Sequence, residues 1–388
     1  MINLAERMQR LGTETAFEVL AKAKKLESQG KHIIHLQIGE PDFNTPHNII
    51  NAGKQALDDG YTGYNPSAGY DELKNEIKKY SKNIRSLEFD KDQVVITSGG
   101  KPIMFYTMLA LINPGDEVLY PNPGFPIYES MINFVGGKPV PLKLEENLGY
   151  NFDINKLESL INEKTKLIIL NSPNNPCGSA INELEMKRIA DILEHKNITI
   201  LSDEIYSQFL YEGSHTSISN HKDLASKTII LDGFSKSYSM TGWRIGYGIF
   251  PNELVEPITK LITNSNSCTA SFTQMAAIEA LSGSQKSVQN MVKEFKTRRD
   301  LIVDGLNSIK NISCPTPSGA FYVFPNITAT NLSSELFASR LLDESGVATL
   351  SGESFGKEGK GYIRISFANS KENISEALNR IEDFVNKL

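Results

Sequence analysis

The chain has 388 residues, of which 40% are hydrophobic and 22% are charged, and its formal net charge is -6. This length predicts two domains, and an acidic balance without a basic block argues against nucleic acid or anionic membrane surfaces as partners. The three cysteines lie far apart without CxxC spacing, which argues against a disulfide framework or a zinc site. No signal-peptide core and no apolar run of ~18 residues is found, so we expect a cytoplasmic protein that does not bind membranes.

Up to about residue 285 the sequence alternates between helical patterns and short apolar runs. A helix is predicted over 12–30, and a short strand within 33–43 breaks at Gly39 and Pro41. Apolar runs of strand length follow at 94–97, 117–120, 166–170, 198–203 and 228–232, with helical patterns at 101–112 and 183–195. This alternation predicts an α/β domain with a mostly parallel central sheet flanked by helices.

Beyond residue 285 the pattern changes. A long charged helix is predicted over 292–306, and the segments 319–325 and 361–368 resemble antiparallel strands with a helix between them. These features predict a smaller α+β domain. We therefore expect a large domain over 45–285 and a small domain formed by 1–44 together with 286–388.

Polar side chains follow four of the apolar runs in the predicted parallel domain. Because ligands of such sheets bind beyond the carboxyl ends of the strands, we expect these residues to meet in one crevice. The predicted group is Gly100, Asn175, Asp203, Tyr206, Ser235, Lys236 and Arg244.

The chemistry of this group indicates one kind of ligand. The segment 98–101 opens a helix, so its backbone N–H groups favour a phosphate, which Ser235 and Arg244 can also bind. Asp203 can hold a protonated ring nitrogen, and Asn175 and Tyr206 can donate to a phenolate oxygen. Lys236 can form a Schiff base with an aldehyde. Phosphate, pyridinium, phenolate and aldehyde together describe pyridoxal 5'-phosphate (PLP).

Nine motifs resemble those of one family, and they stand in that family's order. The sequence is similar to the class I aminotransferases of PLP fold type I, in particular to the prokaryotic-type aspartate aminotransferases. The motifs are GEPDF (39–43), YNPSAG (64–69), SGGK (98–101), NPGDEV (113–118), NSPNNPCG (171–178), SDEIY (202–206), FSKSYSMTGWRIGYG (234–248), PSGAFYVF (317–324) and YIRISFA (362–368).

The resemblance implies a role for each cofactor residue. Lys236 would bind PLP and move the proton between the substrate Cα and the cofactor, while Asp203 would pair with the ring nitrogen. The ring hydroxyl would be bound by Asn175 and Tyr206, and Phe125 would stack on the ring. The phosphate region would be held by Gly100, Lys101, Ser235 and Arg244. Tyr64 would reach the phosphate of a neighbouring subunit, which implies a homodimer.

The resemblance also implies the substrate site and the reaction. Arg364 would clamp the substrate α-carboxylate with help from the Gly39 backbone, and Phe321 would line the pocket, where Phe125 and Asn175 also meet the substrate. The expected reaction is a ping-pong transfer of an amino group from an L-amino acid to a 2-oxo acid such as 2-oxoglutarate. Lys101 matches a lysine that the aspartate-active subgroup uses near the side-chain carboxylate, so aspartate is the expected donor.

The sequence departs from the family pattern at the substrate end. Phe125 stands where aspartate-active members usually carry tryptophan, and it lacks an indole N–H. The N-terminal hydroxyl residues of that subgroup align poorly, since Glu14, Thr15 and Ala16 fall there. Donors with aromatic or other neutral side chains therefore remain an alternative, as does a PLP lyase or oxidase on the same fold.

A different class is suggested by GESFG (352–356), which matches the G-x-S-x-G nucleophile elbow of hydrolases. The elbow requires a helix after the serine and a later histidine, but KEGKG follows and the last histidine is His221. We therefore expect a turn near the substrate entrance. The six histidines show no metal-binding spacing, so no metal is expected.

Overall fold

A computed structural model describes residues 2–388. Within this range the chain forms thirteen strands: β1 Ile34–His35, β2 Val94–Thr97, β3 Glu117–Asn122, β4 Lys138–Glu145, β5 Asn151–Phe152, β6 Thr165–Asn171, β7 Thr199–Asp203, β8 Thr228–Gly233, β9 Gly246–Ile249, β10 Tyr322–Val323, β11 Val347–Ala348, β12 Leu350–Ser351 and β13 Ile363–Ser366.

Over the same residues, twelve α-helices connect and cover these strands: α1 Thr15–Ser28, α2 His47–Asp58, α3 Asp71–Arg85, α4 Lys101–Leu111, α5 Ile127–Phe134, α6 Ile154–Leu160, α7 Glu183–Leu193, α8 Asn252–Ser265, α9 Ser271–Ser282, α10 Lys286–Ser308, α11 Ser334–Ser345 and α12 Lys371–Val385. Short 3-10 turns lie between several of them.

The central sheet has eight strands in the order β2-β9-β8-β7-β6-β3-β4-β5. Five adjacent strands run parallel to one another, in the order β8, β7, β6, β3 and β4. At the edge of the sheet, β5 pairs antiparallel with β4. The antiparallel strand β9 lies between β2 and β8, so β2 again runs in the direction of β8. The predicted mostly parallel sheet is confirmed, and its parallel strands end at a common edge.

Both faces of this sheet are covered, which explains the continuous apolar runs in the sequence. Along β6, Leu167 and Ile169 face a core that includes residues of α4, α5 and α8. Ile168 and Leu170 face the opposite side, where α7 packs. Helix α7 begins with a capping box, in which the side chains of Asn182 and Glu185 each bond the backbone N–H of the other.

The predicted elements of the large region match the structure closely. Strand β2 has the predicted bounds, and the predicted helix 101–112 is found as α4. Three strands of the central sheet, β4, β5 and β9, were not predicted. The segment of β4 contains two prolines, and that of β9 has two glycines in four residues, so both have a low strand propensity. The predicted long helix begins earlier than expected and forms α10.

The C-terminal part forms a second core around small sheets. Strand β13 pairs antiparallel with β10, as the sequence predicts, and it also pairs antiparallel with β12. The N-terminal strand β1 pairs with β11, and Ile34 and Leu36 belong to the same core as α10 and α12. These contacts support our proposal that 1–44 and 286–388 form one small domain beside the large domain 45–285.

Candidate active site

The carboxyl edge of the central sheet opens into a cavity of about 520 Å³. Eleven of the thirteen residues proposed from the sequence line it: Gly39, Gly100, Lys101, Phe125, Asn175, Asp203, Tyr206, Ser235, Lys236, Arg244 and Arg364. They come from both halves of the chain, because β13 places Arg364 opposite the strand ends of the large sheet. The expected crevice is therefore present.

Two proposed residues do not line this cavity. Phe321 is fully buried in the C-terminal core, where its ring stacks on Phe295, and the cavity is lined by its neighbour Tyr322 instead. Adjacent residues at a strand point to opposite faces, so Phe321 faces the core while Tyr322 faces the cavity. Tyr64 lies on the surface and is 90% exposed.

Lys236 follows β8 and projects into the cavity. Its Nζ donates to the backbone oxygen of Gly39 at 2.5 Å. Burial lowers the pKa of Lys236 to about 8, and the nearby Arg364 guanidinium acts in the same direction. A substantial fraction of this amine is therefore neutral near pH 8, which is the form that can attack an aldehyde or accept a proton.

Asp203 ends β7 at the floor of the cavity. The hydroxyl of Tyr128 donates to Oδ2 of Asp203 at 2.6 Å, and the backbone N–H of Ile205 donates to Oδ1 at 3.2 Å. Burial raises the pKa of Asp203 to about 6, although the Tyr128 bond opposes this shift. A cation placed against this carboxylate would stabilise its charged form, which fits a protonated pyridine nitrogen.

A set of neutral donors lines the same cavity as this carboxylate. Tyr206 and Tyr322 share a hydrogen bond of 2.7 Å between their hydroxyls, and both are buried. Asn171 accepts from the backbone N–H of Asn175 at 3.0 Å and thereby fixes the loop after β6. Tyr206 and Asn175 are thus held where they can donate to a ring oxygen.

The start of α4 forms an anion site with Arg244. Gly100 is the N-cap residue, so the first backbone N–H groups of α4 have no partner within the helix. Nη1 of Arg244 donates to the backbone oxygen of Thr241 at 2.7 Å, which helps to hold the guanidinium beside this helix end. Gly99 has a φ of +93°, and a side chain there would collide with the guanidinium. These groups suit a phosphate, and Ser235 lies in the same cavity.

Arg364 lies at the opposite wall and is buried. Its guanidinium is 4.5 Å from the ring centre of Tyr322 and 4.8 Å from that of Phe355. Nη1 donates to Oδ1 of Asn175 at 3.0 Å and Nη2 to the backbone oxygen of Gln37, while Nε has no protein partner in the described part of the chain. None of the carboxylates whose side chains the structure describes forms an ion pair with Arg364, so a ligand carboxylate would complete this site.

Behind the strand ends lies a buried charge network, which we call the Arg85 network. Nε of Arg85 donates to Glu204 at 2.5 Å, and Nη2 donates to Asp232. Glu204 also accepts from Ser217 at 2.6 Å and is 2.7 Å from Nε2 of His215. Although burial opposes the shift, Arg85 and His215 hold the pKa of Glu204 below its usual range. The network ties α3 to the ends of β7 and β8, which position Asp203 and Lys236.

Several cavity residues were not predicted from the sequence, among them Tyr128 and Tyr322. Tyr128 follows the carboxyl end of β3 in GFPIY, so its position at a strand end was the available signal. The GESFG segment forms a 3-10 turn, Gly352–Phe355, followed by a second short turn rather than an α-helix. Phe355 lines the cavity, in agreement with a turn near the entrance and against a nucleophile elbow.

Together, the strand-end lysine, the buried acid, the helix-end anion site and the arginine without an acidic partner fit the binding of PLP. Comparisons with known proteins identify the family. The family model of the class I and II aminotransferases matches residues 31–381 of the sequence. The chain therefore belongs to this family and is a PLP-dependent transaminase.

Three relatives illustrate the match. An aspartate aminotransferase of Pyrococcus horikoshii is 40% identical over 98% of this chain and 96% of its own length. The structure of Thermus thermophilus aspartate aminotransferase with maleate superposes with a TM-score of 0.95 at 33% identity, covering 99% of this chain and all of the other. The structure of an aromatic aminotransferase of P. horikoshii superposes with a TM-score of 0.90 at 35% identity, covering 95% of this chain and 99% of the other. The predicted family and fold class are confirmed.

Proposed function

We propose that this transaminase moves the amino group of an L-amino acid, with aspartate as the first candidate, to a 2-oxo acid such as 2-oxoglutarate. The single observation that carries the proposal is the buried, unpaired Arg364 in the same cavity as Lys236 within the described residues. An amino acid bound through its α-carboxylate at Arg364 would bring its Cα toward the lysine amine.

Each side chain has a defined role in this proposal. Arg364 binds and orients the α-carboxylate, and the Gly39 backbone helps to define that end of the pocket. Asp203 holds a proton on the cofactor ring nitrogen, while Asn175 and Tyr206 donate to the ring oxygen and Phe125 covers the ring. Gly100, Lys101, Ser235 and Arg244 hold the phosphate region. When bound, PLP supplies an electron sink that acidifies the substrate Cα–H bond.

Lys236 then acts as the general base and acid. Because its pKa is lowered to about 8, the amine would be able to accept a proton from the substrate Cα near neutral pH and to donate it again. The cavity walls, including Tyr322 and Phe355, limit the access of water to this amine.

We also propose that the protein is a cytoplasmic homodimer. Tyr64 is 90% exposed in the isolated chain, and Ile2, Leu4 and Phe17 also expose apolar side chains. A second copy would cover these residues and allow Tyr64 to reach the phosphate region of its partner. Within residues 2–388, no helix combines the length and hydropathy that crossing a bilayer would require.

The donor is tested with a panel of amino acids mixed one at a time with the PLP-loaded protein. Loss of the cofactor absorbance band reports the half-reaction, and 2-oxoglutarate restores it. Aspartate and glutamate reacting best would support the acidic donor. A neutral or aromatic donor is the second candidate, because Phe125 replaces the usual tryptophan and Lys101 is paired with Glu14. Failure of every amino acid to change the band would refute the proposed transamination.

A further inference from the structure

Glu14 places a carboxylate inside the substrate cavity. It is the residue before α1, yet its side chain makes no capping bond to that helix and instead accepts a hydrogen bond from Nζ of Lys101. The Glu14 side chain is 17% exposed, whereas that of Lys101 is 49% exposed. Both residues line the cavity, and the Lys101 amine lies 5.6 Å from the ring centre of Phe125.

This ion pair changes the charge that a substrate side chain meets. Among the described residues, four cationic side chains line the cavity, namely Lys101, Lys236, Arg244 and Arg364. In the proposed function Lys236 and Arg244 bind the cofactor, and Arg364 binds the α-carboxylate. Lys101 contributes to the phosphate region where it opens α4, and its amine, which bonds Glu14, is the remaining cation of these four for a second substrate carboxylate. Because Glu14 already neutralises Lys101, a second carboxylate must displace Glu14 and then lies close to its negative charge.

A hydroxyl beside this pair is also left without a partner. Oγ1 of Thr15 is buried and forms no hydrogen bond with any residue that the structure describes, and Thr15 lines the cavity together with Glu14. This wall therefore presents a neutral ion pair and a hydroxyl rather than a free positive charge. Such a surface suits an uncharged side chain better than a carboxylate.

Building on the proposed function, we propose that Glu14 determines specificity for the distal end of the substrate. By occupying Lys101 it weakens the binding of dicarboxylic substrates and extends the accepted donors to amino acids with uncharged side chains. Glu14 acts on the side-chain end of the substrate only, since Arg364 binds the α-carboxylate that all amino acids share.

The test compares two unreactive probes of similar size, succinate and butyrate, on the PLP-loaded protein by calorimetry. Both offer one carboxylate to Arg364, but only succinate carries a second. Glu14→Gln should tighten succinate binding by about tenfold, as expected for removing a competing charge from a partly exposed pair, and should change butyrate binding less than about twofold. In Glu14→Gln/Lys101→Gln the gain for succinate should disappear.

Glu18→Gln is the matched control, because Glu18 is exposed on the same helix and does not line the cavity. Its succinate-to-butyrate affinity ratio should equal that of the wild type. An unchanged ratio in Glu14→Gln, equal tightening of both probes, or a gain that persists without Lys101 would overturn the inference. Absence of turnover with every amino acid would instead refute the proposed function, while the two binding ratios would still test Glu14.

Discussion

The inner end of the cavity, at the strand ends, differs in construction from the outer end beside α1. At the inner end, Asp203 ends the buried strand β7 and Lys236 follows the buried strand β8, and the Arg85 network holds both strand ends. At the outer end, the Glu14–Lys101 pair joins two partly exposed side chains near a helix start. Buried, hydrogen-bonded groups resist change, whereas partly exposed pairs contribute little to stability and can be replaced. In the proposed function, the residues for cofactor chemistry therefore belong to the core, and those for substrate choice belong to the periphery.

The largest effect should follow from Lys236→Ala at the inner end. We expect turnover to fall by at least about 10³-fold, because the general acid and base is lost. In the wild type, borohydride reduction should fix the cofactor on the peptide that contains Lys236, as mass spectrometry would show. Lys260→Ala on the exposed surface of α8 is the control and should retain activity. Cofactor fixed at another lysine would contradict the assignment.

The Arg85 network should contribute most of all the inner groups to stability. Arg85→Leu leaves Glu204 and Asp232 as buried carboxylates without their cation, so we expect the free energy of unfolding to fall by roughly 3–5 kcal/mol. Urea unfolding measures this change. Arg340→Leu removes a partly exposed arginine paired with Glu344 and should cost less than about 1 kcal/mol. An equal fall in the free energy of unfolding in the two variants would show that the Arg85 network does not stabilise the strand ends.

Arg364→Lys tests whether Arg364 binds the α-carboxylate, which all donors share, rather than the side chain of the substrate. An ammonium cannot bind a carboxylate in the bidentate manner of a guanidinium, so KM should rise about 10–100-fold for every amino acid. Steady-state kinetics with one acidic and one neutral donor measures this change. The ratio of the two KM values should stay constant, in contrast to Glu14→Gln. A rise confined to the acidic donor would mean that Arg364 binds the side chain rather than the α-carboxylate.

The smallest effect is expected from Tyr128→Phe. Tyr128 donates to Asp203 and thereby lowers a pKa that burial raises to about 6. Without this donor the pKa of Asp203 should rise, so its carboxylate becomes protonated at a higher pH and the partner of the ring nitrogen is lost earlier on acidification. We expect PLP affinity to weaken by up to about tenfold at pH 7.

A titration of PLP affinity against pH in both proteins measures this shift. The fall in affinity on acidification should begin at a higher pH in Tyr128→Phe than in the wild type. Because both proteins are measured in the same buffers, the titration of PLP itself cancels in the comparison. Superimposable profiles would show that Tyr128 does not tune Asp203.

Sequence patterns predicted the inner end of the site well. Apolar runs set the strands, and parallel strands end at a common edge, so strand ends alone placed Asp203, Lys236 and Asn175 together. The antiparallel strand β9 was not predicted. Because β9 lies between β2 and β8, β2 still runs in the same direction as β8, and the end of β2 still lies at the edge of the sheet that holds the site. The side on which a short strand presents its residues was harder to predict, and Tyr322 rather than Phe321 faces the cavity.

By itself, the sequence determined the α/β architecture and the cofactor, because local periodicity sets the strands and strand ends grouped seven of the residues that line the cavity. Resemblance to family motifs added four more, Gly39, Lys101, Phe125 and Arg364. Only the tertiary structure brought Glu14 to Lys101, which lies 87 positions away, and Tyr128 to Asp203, which lies 75 positions away. It also brought Arg85 to Glu204 and Asp232. Such pairs form between elements that meet only when helices pack on the finished sheet, so no local pattern records them.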